Sequence, residues 1–272
     1  MSTLADHFRT AFVTGASTGL GRAFADMLLA DGVEVWGTAR DTARLPARPR
    51  FHAVALDLAD GAAAERTFRE ADAAAGGFDL VINNAGFGVF GDFAATDFAL
   101  WQHQLEAMLV NTARLAHAAL PGLRARRRGA LVNVASLAAE FPLPFQSAYN
   151  MAKAGLAALS ESLMTEVAGS GVVVIDLRPG DYRTDFDGAV RRDPAAFTPR
   201  MARVWDAFAA MMRSGPPPAH AAAALRRALL ARRSGTVRTG RFFQAQLAPL
   251  LARFGSLRLR RRIQERYFDV TP

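Results

Sequence analysis

Short apolar runs alternate with amphipathic stretches along the first two thirds of the chain. Phe8–Thr14 reads as a strand that runs into a glycine-rich turn. Leu20–Leu29 follows as a helix, with Ala23, Phe24, Met27 and Leu28 on one face. Val33–Thr38 and His52–Leu56 are the next strands, Ala62–Ala75 is a helix stopped by Gly76-Gly77, and Phe78–Ile82 is a fourth strand. The pattern then predicts one long helix over Asp97–Leu120, closed by Pro121-Gly122. A strand at Ala130–Ala135, a helix at Ala148–Ala168 and a strand at Val172–Leu177 complete the regular part. After Pro179 the rhythm weakens. It predicts a helix over Arg191–Arg213, a break at Pro216–Pro218, a helix over His220–Arg232, an edge strand at Val237–Gly240, and one or two basic helices over Phe242–Phe268.

Strands that alternate with helices, several of them apolar throughout, predict an α/β fold. It is a single Rossmann-like doubly wound parallel sheet with helices on both faces and a helical C-terminal extension. At 272 residues the chain is long enough for one such domain with a full core. Composition narrows the rest. A hydrophobic content of 51% excludes a disordered chain. The absence of cysteine excludes disulfides, thiolate metal sites and a cysteine nucleophile, and it fits a reducing compartment. No secretion signal, no transmembrane helix (no apolar run reaches ~18 residues) and no metal site are expected, and the expected location is cytoplasmic. The formal charge of +8 is uneven, with seven arginines against Glu265 and Asp269 from Arg241 onward. This tail reads either as a solvated helix face or as a peripheral contact with an anionic membrane surface; nucleic acid is not expected as a partner.

Thr14-Gly15-Ala16-Ser17-Thr18-Gly19-Leu20-Gly21 joins the first strand to the first helix. Glycines there let the backbone approach a pyrophosphate, and the helix start offers free N–H groups and a positive dipole end. The second strand ends Thr38-Ala39-Arg40. An acid at that end would suit the ribose 2′-hydroxyl of NAD, whereas Arg40 suits a 2′-phosphate, so NADP(H) is expected over NAD(H). Asp41 beside it could oppose this preference.

Among 33 basic residues other than histidine, Lys153 is the only lysine, and it lies one helical turn after Tyr149. Ser136 closes the preceding strand on the side from which that helix starts. Together with Asp57-Leu58, Asn83-Asn84-Ala85-Gly86, Asn111 and Pro179-Gly180-x-x-x-Thr184, these residues resemble the short-chain dehydrogenase/reductase family in order and spacing, over roughly residues 8 to 185. The resemblance implies that Tyr149 exchanges a proton with the substrate oxygen and that Ser136 binds that oxygen. It implies that Lys153 holds the nicotinamide ribose and lowers the Tyr149 pKa, and that Asn111 holds a water of the proton relay. Gly15, Ser17, Thr18, Gly19, Leu20, Gly21, Arg40, Asp57, Leu58, Asn84, Ala85, Gly86, Pro179, Gly180 and Thr184 would bind the cofactor, together with Tyr149 and Lys153. The domain then divides into a cofactor-binding and catalytic core (8–185) and a substrate lid with C-terminal helices (186–272).

Apolar side chains gather at three places expected near the site: Phe87, Val89, Phe90 and Phe93; Phe141 to Phe145; and Tyr182, Phe186, Trp205, Phe208, Met211 and Met212. They imply an apolar pocket for a hydrophobic ketone or secondary alcohol, with Arg183, Arg191 and Arg192 available to an acidic group. The resemblance allows a homo-oligomer. The alternative to a reductase is a catalytically idle NADP-binding regulatory or scaffold protein.

Overall fold

The apolar runs become strands. The computed structural model describes residues 2–268. Its strands are β1 (Thr10–Val13), β2 (Glu34–Ala39), β3 (Phe51–Ala55), β4 (Leu80–Asn83), β5 (Gly88–Val89), β6 (Gly129–Val134), β7 (Val172–Pro179), β8 (Val190–Arg191) and β9 (Gly235–Thr239). Seven of them form a parallel sheet in the order β3-β2-β1-β4-β6-β7-β9, and β5 pairs with β8 in a separate ribbon. The helices are α1 (Gly19–Ala30), α2 (Gly61–Ala74), α3 (Phe98–Leu105), α4 (Asn111–Arg126), α5 (Ser147–Glu166), α6 (Pro199–Arg213), α7 (Pro218–Ala231), α8 (Ala248–Phe254) and α9 (Leu257–Tyr267).

Side chains alternate across the strands, and each face meets its own helices. On one face Val13, Ile82, Val132 and Ile175 pack on Phe24 and Leu28 of α1 and Leu225 and Leu229 of α7. On the other Phe12, Val81, Leu131 and Val174 pack on Phe68 of α2, Leu115 and Leu123 of α4 and Leu163 of α5. The sheet order reverses between β1 and β4, and this switch point opens the crevice at the strands' carboxyl ends where α/β sheets hold ligands.

Three elements differ from their sequence reading. The long helix does not run unbroken: residues Glu106–Val110 form a π-turn between α3 and α4. Nor does Pro121 end it. α4 continues to Arg126 and stops where Arg127 turns left-handed, at φ 52°. A proline inside a helix costs about 3 kcal/mol. Burial of Leu120 and Leu123, at roughly 1.5–3 kcal/mol each, offsets that. The helix expected from Arg191 begins only at Pro199, because Val190 and Arg191 pair with Gly88 and Val89. The backbone before Pro194 and Pro199 is extended, as proline steers its predecessor. The edge strand starts at Gly235, two residues earlier than read, and pairs in parallel with β7.

Candidate active site

The turn after β1 owes its shape to two glycines. Gly15 sits at φ +68°, and a Cβ on Gly21 would lie 2.1 Å from the Gly15 carbonyl oxygen. The turn is braced from β4. Thr14 Oγ1 accepts hydrogen bonds from the N–H groups of Asn84 and Ala85 at 2.8 and 2.9 Å. Asn84 Nδ2 donates to the Thr14 carbonyl at 2.9 Å. The α1 N-terminus has no side-chain cap, so its N–H groups face the crevice. This cradle fits a pyrophosphate.

One cavity of about 1230 Å³ runs along the carboxyl ends of the strands. Gly15, Ser17, Thr18, Gly19, Leu20, Gly21, Arg40, Asp57, Leu58, Asn84, Ala85, Gly86, Ser136, Tyr149, Lys153, Pro179, Gly180 and Thr184 all line it. Arg44 joins Arg40 on the same wall; the sequence signal for it was a second arginine one short turn on. Asp41 lines the same cavity, and its carboxylate accepts from the Ala43 N–H at 3.0 Å and caps that turn.

Tyr149 and Lys153 point from α5 into the middle of the cavity and are buried. Lys153 Nζ lies 5.7 Å from the centroid of the Tyr149 ring and donates to the Val134 carbonyl at 2.7 Å. Ser136 Oγ accepts from the Ala138 N–H at 3.0 Å, so it starts the turn after β6 as its N-cap. Burial pushes the Tyr149 phenol up to about 12; a hydrogen bond from Ser136 opposes this and the charge of Asp181 adds to it. Burial pulls Lys153 down to about 8, opposed by Asp176. A phenol, a hydroxyl and an ammonium thus converge where a proton could be moved to or from a bound oxygen.

Asn111 is the exception. It does not line the cavity, and its Nδ2 donates to the Leu58 carbonyl at 2.8 Å. Met108 faces this space from the π-turn, and its Cε would lie 3.0 Å from a Cβ on Gly86. A Cβ on that same glycine would lie 3.9 Å from Lys153 Nζ. Ala107 and Met108 of the π-turn line the cavity, and Asn111 stands directly after that turn at the start of α4.

The apolar wall is only partly as read. Phe87, Phe141, Leu143, Tyr182, Phe186, Phe208 and Met212 line the cavity. Phe90, Trp205, Met211 and Phe145 pack behind it in a cluster with Met201 and Phe268, while Phe93 stacks outside on Trp101. Arg191 lines the cavity and lies 5.5 Å from the Phe87 ring centroid, whereas Arg192 covers Trp205 and Arg183 is exposed. Sequence reasoning missed a polar corner in this wall. Asp181 accepts from the Tyr267 hydroxyl at 3.2 Å and from Gln244 Nε2, and burial raises its pKa against those two bonds. Nothing in the local pattern joins residues 181, 244 and 267.

The comparisons agree with this geometry. Residues 9–195 match the family model described as short chain dehydrogenase. "Oxidoreductase BOA17" of Botryotinia fuckeliana is 35% identical over 74% of this chain and 76% of its own. A short-chain dehydrogenase from Streptomyces avermitilis superimposes with a TM-score of 0.80 at 31% identity, covering 94% of this chain and 97% of that one. A short-chain dehydrogenase from Sphingobium yanoikuyae in complex with NADPH gives 0.69 at 27% identity, over 84% and 86%. Other solved neighbours hold NAD or NADP.

Proposed function

The chain belongs to the short-chain dehydrogenase family, and we propose that it reduces a hydrophobic ketone with NADPH as the hydride source. The observation that carries this reading is the Tyr149–Lys153–Ser136 cluster in one cavity with the glycine cradle. The nicotinamide, when bound, supplies the hydride. The cradle from Gly15 to Gly21 holds the pyrophosphate, and Asp57 and Leu58 hold the adenine end. Arg40 and Arg44 hold the 2′-phosphate, because a guanidinium pairs a phosphate through two parallel N–H bonds. Ser136 donates to the substrate oxygen, and Tyr149 passes its proton to that oxygen.

Burial holds the Tyr149 phenol at about 12, so it carries its proton at neutral pH and can give it to a bound oxygen. Lys153 keeps enough positive charge beside the ring to stabilise the phenolate left behind. The idle-scaffold alternative leaves this charge arrangement without a task. NADPH oxidation against a panel of bulky apolar ketones tests the reading, and its failure across the panel with NADPH binding intact would return the scaffold.

A second feature supports peripheral contact with a membrane surface. Among the described residues, seven of the eleven exposed large hydrophobic side chains fall between Phe242 and Tyr267. Exposed Arg258, Arg261 and Arg262 stand beside them, and the patch borders the cavity through Phe243, Gln264 and Tyr267. Apolar side chains flanked by arginine suit an anionic lipid interface. No described helix is long and apolar enough to cross a membrane. Co-sedimentation with anionic vesicles should be lost in a Leu250→Glu, Leu251→Glu variant; equal pelleting of both proteins would remove this role.

A further inference from the structure

Three neighbouring strands carry polar residues on the face that otherwise packs on α2, α4 and α5. Asn83, Asn133 and Asp176 stand side by side in register across β4, β6 and β7. Asn83 Nδ2 donates to Asn133 Oδ1 at 2.9 Å, and Asn133 Nδ2 to Ser160 Oγ of α5 at 3.0 Å. Asp176 is fully buried. Its Oδ2 accepts from Arg178 Nε at 2.6 Å, and Arg178 also donates to Glu140 and Glu161 at 2.7 and 2.9 Å. Arg238 reaches Glu140 from β9 at 2.7 Å. The other oxygen of Asp176, Oδ1, is buried and has no hydrogen-bond partner among the described residues.

A buried carboxylate oxygen left unpaired by its own arginine points to a second task. The register supplies one. Lys153 Nζ is anchored on the Val134 carbonyl, and Val134 pairs with Leu177, the residue after Asp176. With strands about 4.8 Å apart, the ammonium therefore sits one residue along and one strand across from Asp176. The groups facing Lys153 are Tyr149 on its own helix, neutral Met108 from the π-turn, and Asp176 from the sheet.

We propose that Asp176 is a positioning residue, the buried counter-charge that keeps Lys153 an ammonium and so lets it act on Tyr149. This rests on the reductase reading for its consequence but not for its test. Burial raises the Asp176 carboxyl pKa and the Arg178 network opposes that shift; Asp176 in turn opposes the burial that pulls the Lys153 ammonium down.

Because Lys153 is the only lysine, a protein labelled with carbon-13 lysine gives one side-chain signal, and its titration reports this ammonium directly. Asp176→Asn should lower the midpoint by about 1–2 pH units. Glu161→Gln, which removes a mostly exposed member of the network, should leave it within about 0.3 units. If Asp176→Asn does not fold, Asp176→Asn with Arg178→Met removes the ion pair as a unit, and the same drop is expected. An unchanged midpoint in the folded variant overturns the proposal. A lowered midpoint with unaltered pH dependence of NADPH oxidation would uphold the charge coupling while overturning the role assigned to Lys153 in the reductase reading.

Discussion

The two ends of the cavity are built in opposite ways. At the cofactor end the wall is backbone: a turn shaped by Gly15 and Gly21, an uncapped helix start, and strand ends braced through Thr14 and Asn84. At the opposite end it is side chain: Phe186, Phe208 and Met212 from the segment after β7, and Tyr267 from α9, joined to Asp181 and Gln244. A backbone wall depends on what is adjacent in the chain and reads out in short motifs. A side-chain wall gathers residues up to 86 positions apart and has no local signature. The first end sets the kind of chemistry, and the second sets which molecule receives it.

Substitutions at the two ends should therefore fail differently. The largest effect belongs to the group between them. Tyr149→Phe should cut kcat by about 10³-fold or more with NADPH binding unchanged, as for loss of a general acid; turnover near wild type would break the assignment. At the cofactor end, Arg40→Ala should weaken NADPH about 10–100-fold and NADH less than about twofold, the worth of a charge-assisted phosphate contact. Equal losses by titration calorimetry would remove the 2′-phosphate role and leave the cofactor choice to other residues. At the substrate end, Tyr267→Phe should change KM by only about 2–5-fold and leave cofactor affinity alone, since one neutral-donor hydrogen bond is worth about 1 kcal/mol. A cofactor effect of the same size would blur the division between the ends.

The smallest effect sharpens the comparison by pH. Burial holds the Tyr149 and Tyr182 phenols each at about 12. A phenol raised on folding binds its proton more tightly folded than unfolded. Its contribution to stability is thus complete below about pH 10 and is lost as pH rises toward 12. Ultraviolet titration of the cofactor-free Tyr267→Phe protein, which keeps only these two, should show no tyrosinate until folding fails in that window. Early ionisation of one tyrosine would mean that Lys153 already governs Tyr149 without cofactor.

Much of the site was legible because its chemistry sits on sequence-local geometry. Tyr149 and Lys153 share a helix face at any four-residue spacing, Ser136 ends a strand, and Gly15 to Gly21 link a strand to a helix. The π-turn at Glu106–Val110 is not visible in the periodicity, and it puts Met108 on the cavity wall while Asn111 donates to the Leu58 carbonyl. Half of the apolar cluster was misplaced for another reason: Phe90 and Trp205 are as hydrophobic as Phe208, and only packing decides which face the ligand.

By itself, then, the sequence determined the alternation of strand and helix, the glycine turn after β1 and the pairing of Tyr149 with Lys153 on one helix. Each of these follows from residues within a turn or two of one another. Only the tertiary structure decided that Asn111 donates to Leu58, that Asp181 meets Tyr267, and that Asp176 stands one strand across from the strand whose Val134 carbonyl holds the one lysine. Those contacts follow from strand order and register, which bring together residues that no local rule connects.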